Sequence, residues 1–155
     1  MREKPKQQMR IWAMLCHFSA LLGWMLLFFL IFIDIPLYLP LNLLAPLMIW
    51  RFKKAQYPWI DFQGKESLNF QITSTLYTLL FIAISSFLVL TSFSWVLTPN
   101  SSVNQVEITL DSLIIVFTSL ILLILIVQSF IGTFAAIKAY NGQHYRYPFT
   151  IRVLR

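Results

Sequence analysis

The sequence SLIIVFTSLILLILIVQSFIGTFAAI, at residues 112–137, contains no charged side chain and decides the class of fold. A second uncharged stretch covers residues 67–106. A helix needs about 20 apolar residues to cross the hydrocarbon core of a bilayer, so each stretch is long enough to span a membrane. A soluble fold would have to bury such helices on all sides, and a chain of 155 residues has too little polar surface for that. The sequence therefore predicts an integral membrane protein.

The composition and charge of the whole chain agree with that prediction. Only 12% of the residues are charged, which is about half of the roughly 25% found in soluble domains. The net charge is +6, and in a membrane protein basic residues flank the spans and face anionic headgroups. The chain shows no basic helix or aromatic platform in a soluble module, so we expect lipid as a partner and no nucleic acid.

Four apolar runs predict an all-α, single-domain fold with four transmembrane helices. The first run covers residues 11–33, the third residues 68–97 and the fourth residues 110–139. The second run, residues 37–52, is shorter and contains two prolines and an asparagine, so it should pack against protein rather than lipid.

The segments between these runs are polar or basic. A basic arm covers residues 1–10 and a basic, aromatic tail covers residues 140–155. Residues 51–66, RFKKAQYPWIDFQGKE, combine lysines with aromatic side chains, a mixture that suits the headgroup layer and predicts an interfacial loop. Asn141 and Gly142 predict a left-handed cap that ends the fourth helix.

The distribution of charge predicts the orientation in the membrane. With four crossings, all 12 Lys and Arg residues fall on one side, and the other side holds Asp34, Glu107 and Asp111. Because basic loops are retained in the cytoplasm during insertion, both termini and the 51–66 loop are predicted to be cytoplasmic.

Small and polar residues predict how the helices pack. Lipid is as apolar as leucine, so helices associate through close contact of small side chains and through hydrogen bonds between helices. Three stripes have helical spacing, and we expect them to face each other. They are Ala13, Cys16, Ala20 and Gly23; Ser67, Gln71, Ser74, Thr78 and Ser85; and Ser129, Gly132 and Ala136.

Several polar residues are candidates for packing or for function. Gln71 and Gln128 either bond across helices or line a polar path. His17 is either a satisfied structural histidine or part of a proton relay or metal site, although a metal needs several ligands. The full candidate set is His17, Asn42, Lys65, Glu66, Asn69, Gln71, Gln128, Tyr145 and Arg146.

The sequence shows no arrangement typical of an enzyme. The six acidic residues are scattered, and no pair can share general acid and base roles within a span. The sequence shows no pattern typical of a Ser-His-Asp triad or a Cys-His dyad. We therefore expect no catalytic activity, no metal and no cofactor.

Four strings resemble a known family. They are HFSALLGW at residues 17–24, PLNLLAPLMIWRFKK at 40–54, FQGKESLNFQ at 62–71 and YNGQHYRYPFTIRVLR at 140–155. They resemble a widespread bacterial and archaeal family of small four-helix membrane proteins of uncharacterised function. That family is similar to the small channel-like subunit of the Tic-type protein-import translocon of the chloroplast inner envelope.

The resemblance implies the four-span fold and residence in a bacterial inner membrane, or in a thylakoid membrane for a cyanobacterial chain. It assigns no catalytic role to the positions it matches. Two features depart from the family: FFLIFIDIPLY at residues 28–38 reads as an insertion, and Ala45 stands where glycine is commoner. The matched positions are His17, Asn42, Pro46, Gly64, Lys65, Glu66, Asn69, Phe70 and Gln71.

Three functions follow as hypotheses. The leading one is a non-enzymatic subunit that helps to move, insert or assemble other membrane proteins. The second is a small channel or transporter with a path lined by Gln71, Thr75, Thr78 and Gln128. The third is an accessory subunit that stabilises a larger membrane complex. For the partners, we expect other membrane proteins, with a homo-oligomer as the alternative.

Overall fold

The computed structural model describes residues 6–33, 41–96 and 103–155, and within them all regular secondary structure is helical. The prediction of an all-α chain with four helices is confirmed for this part of the chain. The sequence also predicts a turn at Asp34, Pro36 and Pro40 and a polar connection at residues 98–109. The turn and the first part of the connection, up to residue 102, lie outside the described residues. The helices are α1 (Gln7–Phe32), α2 (Leu41–Lys53), α3 (Pro58–Val96) and α4 (Val103–Tyr140).

Three of these helices contain a stretch that is long and apolar enough to cross a bilayer: Gln7–Leu26, Pro58–Thr91 and Glu107–Tyr140. This finding supports an integral membrane protein. Helix α2 has 13 residues, which gives a length of about 20 Å, whereas the hydrocarbon core is about 30 Å thick. The described part of α2 is therefore too short to cross on its own.

The prediction of a loop at residues 51–66 is wrong, because most of this segment is helical. Its first residues end α2, and Pro58 begins α3, a continuous helix of 39 residues. Proline is favoured at the first helical position because its fixed φ suits the helix and its missing N–H would have no intrahelical acceptor there. The backbone carbonyl of Tyr57 accepts from the N–H groups of Ile60 and Asp61, which closes the first turn. The connection between the two helices is consequently short.

The chain forms two compact units. Unit 1 comprises Met1–Ser74 and Ser129–Arg155, and unit 2 comprises Thr75–Gln128. Helices α1 and α2, the start of α3, the end of α4 and the tail belong to unit 1, so nearly all of the predicted polar candidates lie there.

In unit 1 the basic ends of the helices lie side by side. Lys53, at the end of α2, places its Nζ 4.7 Å from the ring centroid of Trp12 near the start of α1. Arg10 Nη1 donates to the backbone carbonyl of Tyr140 at 3.4 Å, which brings the end of α4 to the same place. Helices α2 and α4 therefore run antiparallel to α1 within this unit.

Small side chains allow these helices to approach closely, as predicted for α1. Ala13, Cys16 and Ala20 are completely or almost completely buried. Ser67 Oγ donates to the backbone carbonyl of Cys16 at 2.9 Å, which joins the α1 stripe to α3. A Cβ added to Gly132 would lie 3.2 Å from Leu21 Cδ2, so α4 also packs closely against α1.

The predicted α4 stripe is correct for two residues and wrong for one. Gly132 and Ala136 are buried, whereas Ser129 is exposed. The buried face continues instead through Ala135 and Ala139. At about 100° per residue the buried face is centred on Gly132, Ala135 and Ala139, and Ser129 lies at its edge.

The end of α4 confirms the predicted cap. Gly142 has φ of 73°, a left-handed conformation that glycine adopts without steric cost. Gln143 N–H donates to the carbonyl of Lys138 at 2.9 Å, and Gly142 N–H donates to the carbonyl of Ala139 at 3.1 Å. These two bonds form a Schellman motif, which releases the chain from the helix and starts the tail.

Unit 2 contains the remaining parts of α3 and α4, and its surface is mostly exposed and apolar. Its hydroxyl groups bond back to their own helices: Ser112 donates to the carbonyl of Ile108 and Ser119 to that of Ile115, both at 2.7 Å. Such bonds satisfy a hydroxyl without water. The surface of unit 2 therefore suits contact with lipid or with apolar helices.

Candidate functional site

The polar interior of unit 1 is the candidate site. Of the twelve buried polar or charged side chains in the described residues, Ser85 and Gln128 lie in unit 2 and the other ten lie in unit 1. Buried polar groups are costly unless they are hydrogen-bonded. The partners of these side chains therefore indicate what the interior does.

His17 is at the centre of the first cluster and is 1% exposed. Its Nδ1 lies 2.8 Å from the hydroxyl of Tyr147, and its Nε2 lies 3.0 Å from Oε1 of Gln63. The amide nitrogen of Gln63 in turn donates to the backbone carbonyl of Gln143 at 3.1 Å. The cluster thus joins α1, α3 and the tail.

The partners of His17 show which of its ring nitrogens carries the proton. An amide oxygen can only accept, so Nε2 of His17 carries the proton and donates it to Gln63. Nδ1 of the neutral imidazole is then an acceptor, and the hydroxyl of Tyr147 donates to it. Every polar atom of the His17 ring has one partner, which favours the structural interpretation of this histidine.

Aromatic packing holds Tyr147 in place. Its ring stacks on Phe70 with centroids 4.1 Å apart and an interplanar angle of 10°. The edge of Tyr145 meets it at 5.2 Å, and Tyr145 also contacts Phe134 at 5.5 Å. Burial, with the nearby Tyr145 and the carboxylate of Glu66, raises the pKa of the Tyr147 phenol well above its usual value. Burial likewise raises the pKa of Tyr145.

Asn69 and Thr73 bind the backbone of the tail. Asn69 Oδ1 accepts from the N–H groups of Val153 at 3.1 Å and Leu154 at 2.8 Å, and its Nδ2 donates to the carbonyl of Leu154 at 3.0 Å. Thr73 Oγ1 accepts from the N–H of Ile151 at 3.0 Å. The non-helical backbone of the tail lacks the hydrogen bonds of a helix, so its N–H and C=O groups need partners from other elements. These two side chains supply such partners.

Gln71 bonds across helices, as the packing interpretation of this residue predicted. Its Oε1 accepts from Nε1 of Trp24 at 3.1 Å and from Nδ2 of Asn42 at 3.4 Å. The bonds tie α3 to α1 and to the first turn of α2. Asn42 is 3% exposed, so the polar asparagine of the short helix is buried against protein as expected.

The charged candidates form two pairs. Lys65 Nζ lies 2.7 Å from Asp61 Oδ2, and Trp50 Nε1 donates to the other oxygen of that carboxylate at 2.9 Å. Glu66 is 6% exposed, and its Oε1 lies 3.9 Å from Nε of Arg152 in the tail. Oε2 of Glu66 is buried and has no hydrogen-bond partner.

The last candidates are peripheral to these clusters. Arg146 is exposed and lies over the ring of Phe62, with 5.8 Å between its Cζ and the centroid. Gln128 is buried in unit 2, and its Oε1 has no hydrogen-bond partner. The structure therefore unites His17, Asn69, Glu66 and Tyr145 around the tail, whereas Arg146 lies at its surface.

Sequence reasoning missed four participants. Gln63, Thr73 and Trp24 are not in the predicted candidate set, and Tyr147 was seen only as part of the tail. Gln63 lies four residues before Ser67 of the predicted α3 stripe, and Thr73 lies four residues after Asn69, which is the spacing of neighbours on one face of a helix. Helical spacing on α3 could have found Gln63 and Thr73, but nothing in the sequence pairs them with a tail some 80 residues away.

Around His17, Asn69 and Gln71, the chemistry available is that of neutral hydrogen-bonding groups. Within residues 6–33, 41–96 and 103–155, no three His, Cys, Asp or Glu side chains are grouped as metal ligands would be. The ring nitrogens of His17, the side-chain amide of Asn69 and the amide oxygen of Gln71 bond to other parts of the same chain. The arrangement fastens the tail to the helices.

The comparison with protein families agrees with the helical membrane architecture. Residues 8–154 match the model of the magnetosome magnetite crystal formation protein family, MamF_MmsF. The chain belongs to this family. Membership in MamF_MmsF supports the predicted relation to a small bacterial membrane-protein family, and the match extends through all four helices and most of the tail. No curated protein and no solved structure matches the chain.

Proposed function

We propose that this MamF_MmsF member is a non-enzymatic membrane subunit that assembles with other membrane proteins and contributes to magnetite crystal formation. The observation that carries the proposal is the use of the buried polar side chains. His17 and Asn69 are bonded to the tail of the same chain, and Gln71 to neighbouring helices. These groups build a rigid fold and leave the apolar helical surface for partners. The link to magnetite comes from the description of the family.

The finer form of the proposal is a role in moving, inserting or assembling membrane proteins. Its support is indirect: the strings at residues 17–24, 40–54, 62–71 and 140–155 resemble a bacterial and archaeal family of four-helix membrane proteins, and that family is similar to the Tic-type import subunit. We expect crosslinks from unit 2 to components of the secretion or assembly machinery. Helix surfaces in lipid associate through packing and hydrogen bonds rather than through a hydrophobic drive, so partners should be captured in mild detergent and lost in harsh detergent.

The proposed topology has four crossings with both termini in the cytoplasm of a bacterial cell. Within unit 1 the starts of α1 and α3 and the ends of α2 and α4 lie together, which supports a single basic face. Reporter fusions at residues 1 and 155 should both report cytoplasm. A fusion within residues 97–102 should report the opposite side, and two termini in different compartments would contradict the proposal.

The experiment uses a magnetite-forming bacterium whose own member of the family has been deleted. Expression of the full chain should restore crystal size, measured by electron microscopy, and affinity purification with mass spectrometry should recover membrane partners. A chain truncated after Thr150 serves as the variant with an unfastened tail, and a chain with the exposed Arg155 changed to Gln is its matched control. Normal crystals without the protein, or unchanged crystals on adding it, would reject the proposal.

The channel remains the alternative in a different class of function. Gln71 was one of the residues proposed to line the channel. Its bonds to Trp24 and Asn42 favour a packing role for this residue. Purified protein in liposomes should give no ion flux above that of empty vesicles. Flux that disappears in a Gln71→Leu variant would favour the channel over the assembly subunit.

A further inference from the structure

A cleft opens in unit 1 where the start of α1 meets the end of α2. Its volume is about 580 Å³, and its lining residues are Trp12, Met48, Ile49, Phe52, Lys53 and Gln56. That volume lies within the range of about 300–1,000 Å³ typical of small-molecule sites. The cleft is separate from the His17 and Asn69 clusters, and the proposed function does not use it.

The lining of the cleft changes in chemistry along the chain. The lining residues Met48, Ile49 and Phe52 of α2 are apolar, and we call this part the apolar end. Met48 is 58% exposed and Phe52 is 69% exposed, so an apolar molecule beside α2 can reach them. The last residue of α2, Lys53, and Gln56 after it add an ammonium group and an amide to the lining, and we call this part the mouth. Both can donate hydrogen bonds to a phosphate oxygen.

The positive charge at the mouth is not neutralised by an acidic side chain. Two ion pairs occur in the described part of the chain, Lys65 with Asp61 and Arg152 with Glu66, and neither includes Lys53. The ammonium group of Lys53 lies over the ring of Trp12, 4.7 Å from its centroid. Exposed Arg51 adds a further positive charge at the same end of α2. An anion is therefore favoured at the mouth.

We propose that this cleft binds one anionic phospholipid. The phosphate lies at Lys53 and Gln56, and an acyl chain lies along Met48, Ile49 and Phe52. Trp12 forms the wall at the level of the glycerol, since an indole is amphipathic and suits the boundary between headgroups and hydrocarbon. The cleft has an apolar wall below a cationic mouth, which is the pattern that such a lipid requires.

The test uses the full chain, purified and delipidated in a non-ionic detergent. Dioctanoyl phosphatidylglycerol is the probe, dioctanoyl phosphatidylcholine carries the same chains without net charge, and inorganic phosphate carries the anion without chains. Binding is measured by native mass spectrometry and by the shift of the thermal unfolding midpoint. One lysine near a lipid surface is worth about 1 kcal/mol, so we expect about fivefold tighter binding of phosphatidylglycerol than of phosphatidylcholine.

Two variants and one control locate the site. Lys53→Gln should abolish the preference for phosphatidylglycerol, whereas Arg51→Gln, on the same helix end but outside the cleft lining, should keep most of it. Met48→Trp fills the apolar end and should weaken both lipids while leaving Lys53 in place. Each variant is first shown to unfold, without lipid, at the temperature of the unmodified chain.

Three results would overturn the lipid site. Equal affinity for the two lipids would show an apolar groove without anion recognition. Equal losses for Lys53→Gln and Arg51→Gln would show diffuse surface attraction. Full competition by inorganic phosphate at the same concentration would show a bare anion site. Because none of these measurements uses magnetite formation or partner capture, failure of the lipid site is distinguishable from failure of the proposed function.

Discussion

The hydroxyl of Tyr147 lies 2.8 Å from Nδ1 of His17, and the two residues are 130 positions apart in the sequence. The bond joins the first helix to the tail that follows the last one. Its acceptor sits on a buried ring whose other nitrogen is used by Gln63. The tail therefore contributes to the interior of unit 1 and is not an exposed appendage.

Tyr147→Phe should destabilise the chain. The substitution keeps the stack on Phe70 but leaves Nδ1 of His17 buried without a donor, which costs about 1–3 kcal/mol. Unfolding in detergent, followed by circular dichroism, measures the loss. Tyr140→Phe is the control, because Tyr140 is exposed and contributes its backbone carbonyl to the contact with Arg10. Equal stability of the two variants would contradict the structural role of the bond.

Alkaline pH should destabilise the protein through Tyr147. Below a pH of about 10 the phenol is protonated in both the folded and the unfolded chain. Above that pH the unfolded chain releases the proton, whereas the raised pKa of Tyr147 keeps it bound in the folded chain. The unfolded state then binds fewer protons, so the free energy of unfolding falls as pH rises.

Two signals measured together over an alkaline titration check this expectation. The ultraviolet absorbance of tyrosinate should show one phenol that ionises only as helicity is lost. Tyr147→Phe should lack this late phase. If all tyrosines of the unmodified chain ionise while its helicity is intact, the interpretation of Tyr147 as a buried phenol is wrong.

Asn69→Leu should release the end of the tail. The leucine has a similar volume but offers nothing to the N–H groups of Val153 and Leu154 or to the carbonyl of Leu154. Losing these bonds should raise the accessible fraction of the tail by at least about tenfold. Limited trypsin digestion reports it as faster cleavage after Arg152. Thr91→Val, which removes a hydroxyl bonded within its own helix, should leave the cleavage rate unchanged.

The elements that could be predicted from the sequence are those with a local signal. The uncharged stretch at residues 112–137 predicts α4, and Asn141 with Gly142 predicts its cap. Helical spacing also predicts the close approach of Ala13, Cys16 and Ala20. Each of these depends on neighbours within a few turns of helix, so periodicity and composition are sufficient.

The tail contacts could not be predicted in the same way. Asn69 was a candidate by resemblance, but its partners are backbone groups some 85 positions away, and a backbone group leaves no trace in a sequence. The start of α3 was misplaced for a related reason. The lysines and aromatic side chains of residues 51–66 report affinity for the headgroup layer, and that affinity does not distinguish a loop from the first turns of a helix.

Gly64 and Gly132 offer a matched pair of substitutions to alanine. In a helix interior this change alone gains about 1 kcal/mol, so the sign of the result depends on the space around each Cβ. At Gly64 the Cβ would collide with the side chain of Trp50, including its Cβ and Cγ at 2.9 Å, and Trp50 is itself bonded to Asp61. At Gly132 the nearest atom is the end of the Leu21 side chain at 3.2 Å, which can move.

We therefore expect Gly64→Ala to lower the free energy of unfolding by about 1–3 kcal/mol and Gly132→Ala to leave it near its original value. Unfolding of both variants in the same detergent measures the difference, and a Gly64→Ala protein as stable as Gly132→Ala would show that α2 and α3 do not pack as closely as the structure places them.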